Sequence, residues 1–234
     1  QIMKIKHGMI LAAGLGKRMI PLTLKKPKPL LRVGKKNLLE RALTILINHG
    51  VEEICINTHH LSKQIEEYVS TFKSKAEIKI SKEEHLLLDT GGGVKEATKK
   101  FKANPFFIIN PDTLWNEYYF KEINILERMY FKNKKPCLLL VKKDLSFDKS
   151  FKGDFNLKDE LVLKEKKNNF IFTGLQIISR KDLEFINKKV FSMNEVWNKL
   201  IKERNLYGLE SHQAFYHLNT LEIYKKICIL NSTD

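Results

Sequence analysis

Apolar residues along this chain recur with two periods, and the two alternate. Residues 9–13, 51–57, 76–81 and 105–110 are short apolar-rich runs bounded by charged or turn-forming residues, the pattern of buried strands. Between them, residues 38–49, 61–72 and 93–101 carry apolar side chains three and four apart, as one face of a helix requires. Gly50 follows the first helix at the position where a left-handed backbone is wanted. Ser62 is the predicted N-cap of the second, with Glu66 and Glu67 near its start. Strand and helix in alternation predict an α/β fold with a mostly parallel, doubly wound mixed sheet, whose ligands bind beyond the carboxyl ends of its strands.

Beyond residue 120 the pattern is less regular. Residues 120–132 read as a helix, 137–142 as a buried strand, 154–164 as a hairpin and 170–178 as a strand with Gly174 inside it. A helix over 194–204, a strand over 214–218 and a closing helix from Leu221 complete the reading. No repeat and no long linker interrupts the chain, so residues 1–234 are expected to form one domain.

Composition narrows the possibilities. No apolar run approaches the roughly 20 residues of a membrane helix. The N-terminal lysines and the apolar run after them do not read as a signal peptide, because that run flows into a glycine-rich segment. Cys55, Cys137 and Cys228 lie far apart in no metal spacing, which points to a reduced, cytoplasmic protein. The net charge of +15 raises nucleic acid as a partner. Nearly all of the positive charge is Lys, however, spread along the chain among Glu and Asn, and no base-reading element accompanies it. A solvated surface that attracts small phosphorylated molecules is the expectation, with neither nucleic acid nor membrane as partner.

Candidate chemistry concentrates in residues 11–31, LAAGLGKRMIPLTLKKPKPLL. A Walker loop is excluded, since Gly16-Lys17 is followed by Arg18 and the first-glycine position is Leu11. A dinucleotide fingerprint is excluded because Gly14-Leu15-Gly16 lacks its third glycine. What remains is a strand end, Leu11, Ala12 and Ala13, then Gly14 and Gly16, whose small size lets backbone approach a flat base or a phosphate. Arg18 offers a forked cation, Lys28 a point charge, and Pro21, Pro27 and Pro29 stiffen the loop.

Gly14-x-Gly16-x-Arg18-x-x-Pro21-Leu22-Thr23, followed by Pro27-Lys28-Pro29-Leu30, resembles the signature of the sugar-1-phosphate nucleotidyltransferases. Thr90-Gly91-Gly92-Gly93 resembles their second nucleotide loop, and Asn110-Pro111-Asp112 sits where the family has N-G-D. Gly153-Asp154-Phe155 and Phe172-Thr173-Gly174-Leu175 resemble acceptor-side segments. The short length and the TGGG and GDF elements are most similar to N-acetylmuramate-1-phosphate uridylyltransferase-like members, with mannose-1-phosphate guanylyltransferases as near relatives. The resemblance covers about residues 5–230 and includes no hexapeptide-repeat β-helix.

That resemblance implies the nucleotide-diphospho-sugar transferase fold, a Rossmann-like three-layer sandwich with a nucleotide half over about 1–120 and a sugar-phosphate half over about 121–234. It implies transfer of a nucleotidyl group from an NTP, UTP or else GTP, to a sugar-1-phosphate in cell-wall or surface-glycan supply. Arg18 would clamp the departing phosphates, Lys28 the α-phosphate, and Asp112 a Mg²⁺ ion. Leu11, Ala12, Ala13, Gly14, Gly16, Asn57, Glu83, Thr90, Gly91 and Gly92 would surround the nucleotide. Asp154, Glu165, Lys166, Thr173 and Gly174 would meet the sugar phosphate. By register the family's second metal-ligand Asp is His217 here, and its following Gly is Asn219. Imidazole suits Mn²⁺ better than Mg²⁺, so an impaired nucleotide-binding module stands as the alternative. A monomer or homodimer is expected.

Overall fold

The computed structural model describes residues 3–232. Its strands are β1 (His7–Ala12), β2 (Arg32–Val33), β3 (Lys36–Asn37), β4 (Glu53–Thr58), β5 (Glu77–Lys82), β6 (Phe106–Ile109), β7 (Cys137–Lys142), β8 (Asn156–Lys158), β9 (Leu161–Leu163), β10 (Phe170–Ile178) and β11 (Tyr207–Ser211). Its helices are α1 (Leu38–His49), α2 (Ser62–Thr71), α3 (Asp89–Ala97), α4 (Phe120–Asn133), α5 (Met193–Lys202) and α6 (Leu221–Leu230). Nine strands form one sheet in the order β5-β4-β1-β6-β10-β7-β11-β9-β8, so a single sheet runs through both halves of the chain. The β5-β4-β1-β6 half is parallel throughout, and β11 pairs parallel with β7. The long β10 lies antiparallel between β6 and β7.

Alternation along the central strands sorts the core into two layers. In β6, Phe107 and Ile109 join α1 and α4 on one face, while Phe106 and Ile108 join α3 and α5 on the other. In β7, Cys137 and Leu139 face the first group and Leu138 and Leu140 the second. The expected α/β three-layer sandwich is the fold observed. The first helix begins and ends as its sequence dictates: Asn37 caps it by accepting from the Glu40 N–H at 2.7 Å, and Gly50 closes it at φ 105°.

Three local expectations are corrected. Leu61 rather than Ser62 occupies the N-cap of α2, and the Ser62 hydroxyl pairs with Thr58 at 2.7 Å instead. Gly91 and Gly92 lie inside α3, which starts at Asp89, rather than in a loop before a helix that begins at Gly93. Residues 214–218 form no strand; they make single bridges, Ser146 with Phe215 and Thr113 with His217. The strand in that region is β11, which adds to the sheet by pairing with β7. The hairpin over 154–164 is present as β8 and β9, turning through Asp159 and Glu160, both left-handed.

Candidate active site

β1, β4 and β6 run side by side and end at the same edge, and a cavity of about 510 Å³ opens beyond their carboxyl ends. Its walls include Leu11, Ala12, Ala13, Gly14, Gly16, Arg18, Lys28, Asn57, Glu83, Thr90 and Asp112, all nominated by the sequence. Gly16 turns the chain at φ 63° and packs against Thr23, whose hydroxyl donates to the Gly16 carbonyl at 2.6 Å. That turn starts the short 3-10 helix Lys17–Met19, which carries Arg18. Lys28 stands on a second such turn, Lys28–Leu30.

Two polar residues of the cavity are built into the scaffold. Asn57 is 2% exposed; its carboxamide accepts from the Ala12 N–H at 2.8 Å and donates to Glu83 at 2.7 Å. Glu83 is 4% exposed and takes a further bond from the Leu88 N–H at 2.8 Å. An exposed Glu is the ordinary reading of such a position; here burial and two bonds tie β4 to the segment entering α3.

At the far end of the cavity Lys28 Nζ lies 3.1 Å from Asp112 Oδ2, and His217 Nε2 lies 3.6 Å from the same oxygen. Burial works to raise the Asp112 carboxyl, but His217 and Lys28 outweigh it and bring it down to about 2. Burial holds His217 below its ordinary value, helped by Lys28 and Arg18 and opposed by Asp112. At neutral pH Asp112 is therefore ionised and His217 neutral, which leaves Lys28 as the cation on that carboxylate. The imidazole is stacked on Phe215 and edge-on to Phe151. Its strap is bonded to the Asp112 segment: Leu218 N–H donates to the Asp112 carbonyl and Leu114 N–H to the Tyr216 carbonyl, both at 2.8 Å.

His217 also lines a second cavity, of about 360 Å³, walled by Phe151, Phe155, Phe172, Trp197 and Phe215, with Asp154, Lys164 and Asn194 at its polar positions. The Asp112–His217 contact is thus the junction of the two cavities. The sequence reading missed Lys164, which follows β9, and Trp197 of α5; their only prior signal was a charge run and an amphipathic helix.

Several nominated residues do other work. Gly91 and Gly92 line neither cavity. A Cβ on Gly91 would sit 2.3 Å from the Phe191 ring, and one on Gly92 2.2 Å from the Lys189 carbonyl oxygen, so their smallness lets α3 pack against 189–191. Glu165 and Lys166 are exposed and outside both cavities, Glu165 accepting from Asn156 at 3.0 Å. Solvation suits both charges better than a partly apolar wall does. The Thr173 hydroxyl is spent on the Leu139 carbonyl at 2.7 Å, and Gly174 sits at φ 102° where the β10 register shifts. Asp154 accepts from the Phe172 N–H at 2.9 Å while lining the second cavity.

The donor set at Asp112 can be tested against a divalent cation. Among the described residues no group of three or more His, Cys, Asp or Glu could hold one. The 3.6 Å between His217 Nε2 and Asp112 Oδ2 is wider than the roughly 3.0 Å between adjacent ligands of an octahedral ion at about 2.1 Å, so the pair would have to close by about 0.6 Å around an ion whose remaining ligands are substrate phosphates and water. No helix among the described residues is long and apolar enough to cross a membrane.

A sheet edge with a glycine turn, the cations Arg18 and Lys28 and two meeting cavities is an arrangement suited to phosphorylated small molecules. Residues 7–141, more than half of the chain, match the family model for nucleotidyl transferases. The chain belongs to that enzyme family. It is 27% identical over 221 residues to N-acetylmuramate alpha-1-phosphate uridylyltransferase of Caulobacter vibrioides (strain ATCC 19089 / CIP 103742 / CB 15), covering 91% of each. It is 29% identical over 216 residues to mannose-1-phosphate guanyltransferase of Saccharomyces cerevisiae (strain ATCC 204508 / S288c), covering 87% of this chain and 58% of that one. Among solved structures, a UDP-glucose pyrophosphorylase complexed with UDP-glucose shares the fold with a TM-score of 0.81 at 15% identity, over 98% of this chain and 99% of the other.

Proposed function

We propose that the chain is a sugar-1-phosphate nucleotidyltransferase that joins an NTP and a sugar-1-phosphate into an NDP-sugar and releases pyrophosphate. The observation that carries this reading is the junction: a cavity edged by the glycine turn and a cavity walled by aromatic rings meet at Asp112 and His217. A nucleotide in the first brings its α-phosphate toward Lys28. A sugar in the second lays its apolar faces on Trp197 and Phe172 with its phosphate toward the same point. UTP is the favoured donor, because the uridylyltransferase relative matches along 91% of both chains and the guanyltransferase along only 58% of its own.

The chemistry asks little of the protein beyond placement. An ionised oxygen of the sugar phosphate attacks the α-phosphorus, a new P–O bond forms, and the bond to the β-phosphate oxygen breaks in line. That oxygen carries its charge at neutral pH, so no general base is needed. Holding two polyanions in attack geometry and spreading their charge supplies the rate. Arg18 grips the departing pyrophosphate, and Lys28 spans the α-phosphate and the incoming phosphate. Asp112 and His217, with substrate oxygens, would hold a divalent cation, which adds charge neutralisation; the imidazole shifts preference from Mg²⁺ toward Mn²⁺.

A second reading, a nucleotide-binding module of low turnover, draws on Lys28 and His217 both engaging the one Asp112 oxygen. Pyrophosphate release, measured for each NTP with a panel of sugar-1-phosphates in Mg²⁺ and in Mn²⁺, separates the two. Release dependent on both substrates supports transfer. Nucleotide binding with no release from any pair supports the module.

A further inference from the structure

The strap that carries His217 makes one more contact, which the functional reading leaves unused. The Arg18 guanidinium is exposed, and its Nη1 donates to Asn219 Oδ1 at 2.6 Å across 201 positions of sequence. Asn219 is itself held. Its N–H donates to the His217 carbonyl at 2.9 Å, Leu218 before it is bonded to the Asp112 carbonyl, and Thr220 after it caps α6 by accepting from the Ile223 N–H. One short backbone segment therefore touches both ends of the first cavity, the Asp112 end and the Arg18 end.

We propose that Asn219 is a positioning residue that aims the Arg18 guanidinium at the triphosphate, a role resting on the reading of Arg18 as the grip on pyrophosphate. An amide oxygen takes up one of the five guanidinium N–H donors and none of the charge, leaving four donors and a full cation for phosphate oxygens. A carboxylate at 219 would neutralise that cation. The glycine expected there from the sequence resemblance would leave a long side chain to search its rotamers before each binding event. Because the strap is also bonded to the Asp112 segment, Arg18 is set at a fixed distance from the point of attack.

The test compares the wild-type chain with Asn219→Ala, Asn219→Asp, Arg18→Ala and the double variant Arg18→Ala/Asn219→Ala. Calorimetry reads the binding of a non-hydrolysable UTP analogue, of tripolyphosphate and of uridine. Ordering one flexible side chain sets the expected size: Asn219→Ala weakens both polyphosphates about three- to tenfold. Asn219→Asp weakens them further, uridine binding is unmoved, and the Asn219→Ala effect disappears in the Arg18→Ala background. Unchanged polyphosphate affinity in Asn219→Ala overturns the proposal, as does a loss that persists without Arg18 or extends to uridine, since either marks a merely structural strap. A wild-type chain that binds neither the UTP analogue nor tripolyphosphate fails at the functional reading itself, before any variant is compared, and this proposal falls with it.

Discussion

Exchanging Gly92 and Gly14 for alanine, one at a time, separates packing from ligand approach. Gly92 lies within α3, where alanine favours the helix by about 1 kcal/mol. Its Cβ would nevertheless stand 2.2 Å from the Lys189 carbonyl oxygen and 3.1 Å from Leu88 Cβ. That is roughly 1 Å inside ordinary contact, and the obstacle is backbone rather than the free end of a side chain. Relief requires the 189–191 segment to withdraw, which stretches the bond from Gly92 N–H to the Phe191 carbonyl, now 3.0 Å. Overpacking of this kind costs about 1–3 kcal/mol and a weakened buried hydrogen bond about 1. The net is a loss of about 2 kcal/mol, a melting temperature lower by about 4–8 °C for a chain of this size. Gly14 presents the opposite case: nothing lies within 4 Å of its would-be Cβ, and it lines the first cavity. Gly14→Ala should leave the melting temperature within about 1 °C of wild type while weakening UTP binding about tenfold, because the methyl group stands where the nucleotide approaches. Calorimetric melting and UTP titration well below the melting temperature read both quantities. A Gly92→Ala chain of unchanged stability that has lost UTP affinity would refute the packing argument. So would a Gly14→Ala chain that melts early and binds UTP normally.

Two further outcomes can be checked independently. Glu127 is buried, which raises its carboxyl, but the His49 contact at 2.7 Å and the Ile5 N–H at 2.9 Å outweigh burial and leave it below the ordinary value. A depressed carboxyl adds stability above its unfolded value, about 4.3, and loses it as pH falls through the folded value. Urea unfolding should thus find Glu127→Gln about 1–3 kcal/mol less stable at pH 7, with the gap narrowing toward pH 3; parallel curves across that range count against the pairing. His217→Asp should raise Mg²⁺-dependent pyrophosphate release relative to Mn²⁺-dependent release, and an equal or lower Mg²⁺ rate removes position 217 from the metal reading.

The sequence made the central sheet legible because its strands are buried on both faces. PFFII and CLLLV are apolar at every position, and the sheet places them in its middle. Tyr207–Ser211 was illegible for the opposite reason: YGLES is half polar, and only its pairing with β7 makes it a strand. Residues 214–218 mislead in the other direction. AFYHL has the aromatic content of a strand, yet its burial comes from rings packing around His217, Phe215 and Phe151. The triple glycine shows tertiary contact overriding propensity, since three glycines favour a loop until Phe191 is pressed against Gly91, Lys189 against Gly92, and Asn57 and Glu83 against Gly93. In the site, Gly14 through Arg18 and Lys28 could be found because a turn needs glycine and a polyanion needs cations. Lys164 and Trp197 could not, because each reaches the site from a distant part of the chain and carries no local signature; register marked Asn219 only as a departure from glycine, and nothing local pointed to its bond with Arg18.

The central claim is that the two cavities hold the two substrates with their phosphates meeting at Lys28, Asp112 and His217. A crystal structure of the wild-type chain with a non-hydrolysable UTP analogue and a sugar-1-phosphate tests it most directly. The account predicts the base and ribose beside Gly14 and Asn57, the outer phosphates on Arg18, the α-phosphate at Lys28 and the sugar against Trp197. Substrate density elsewhere, or triphosphate oxygens pointing away from both Arg18 and Lys28, would contradict it.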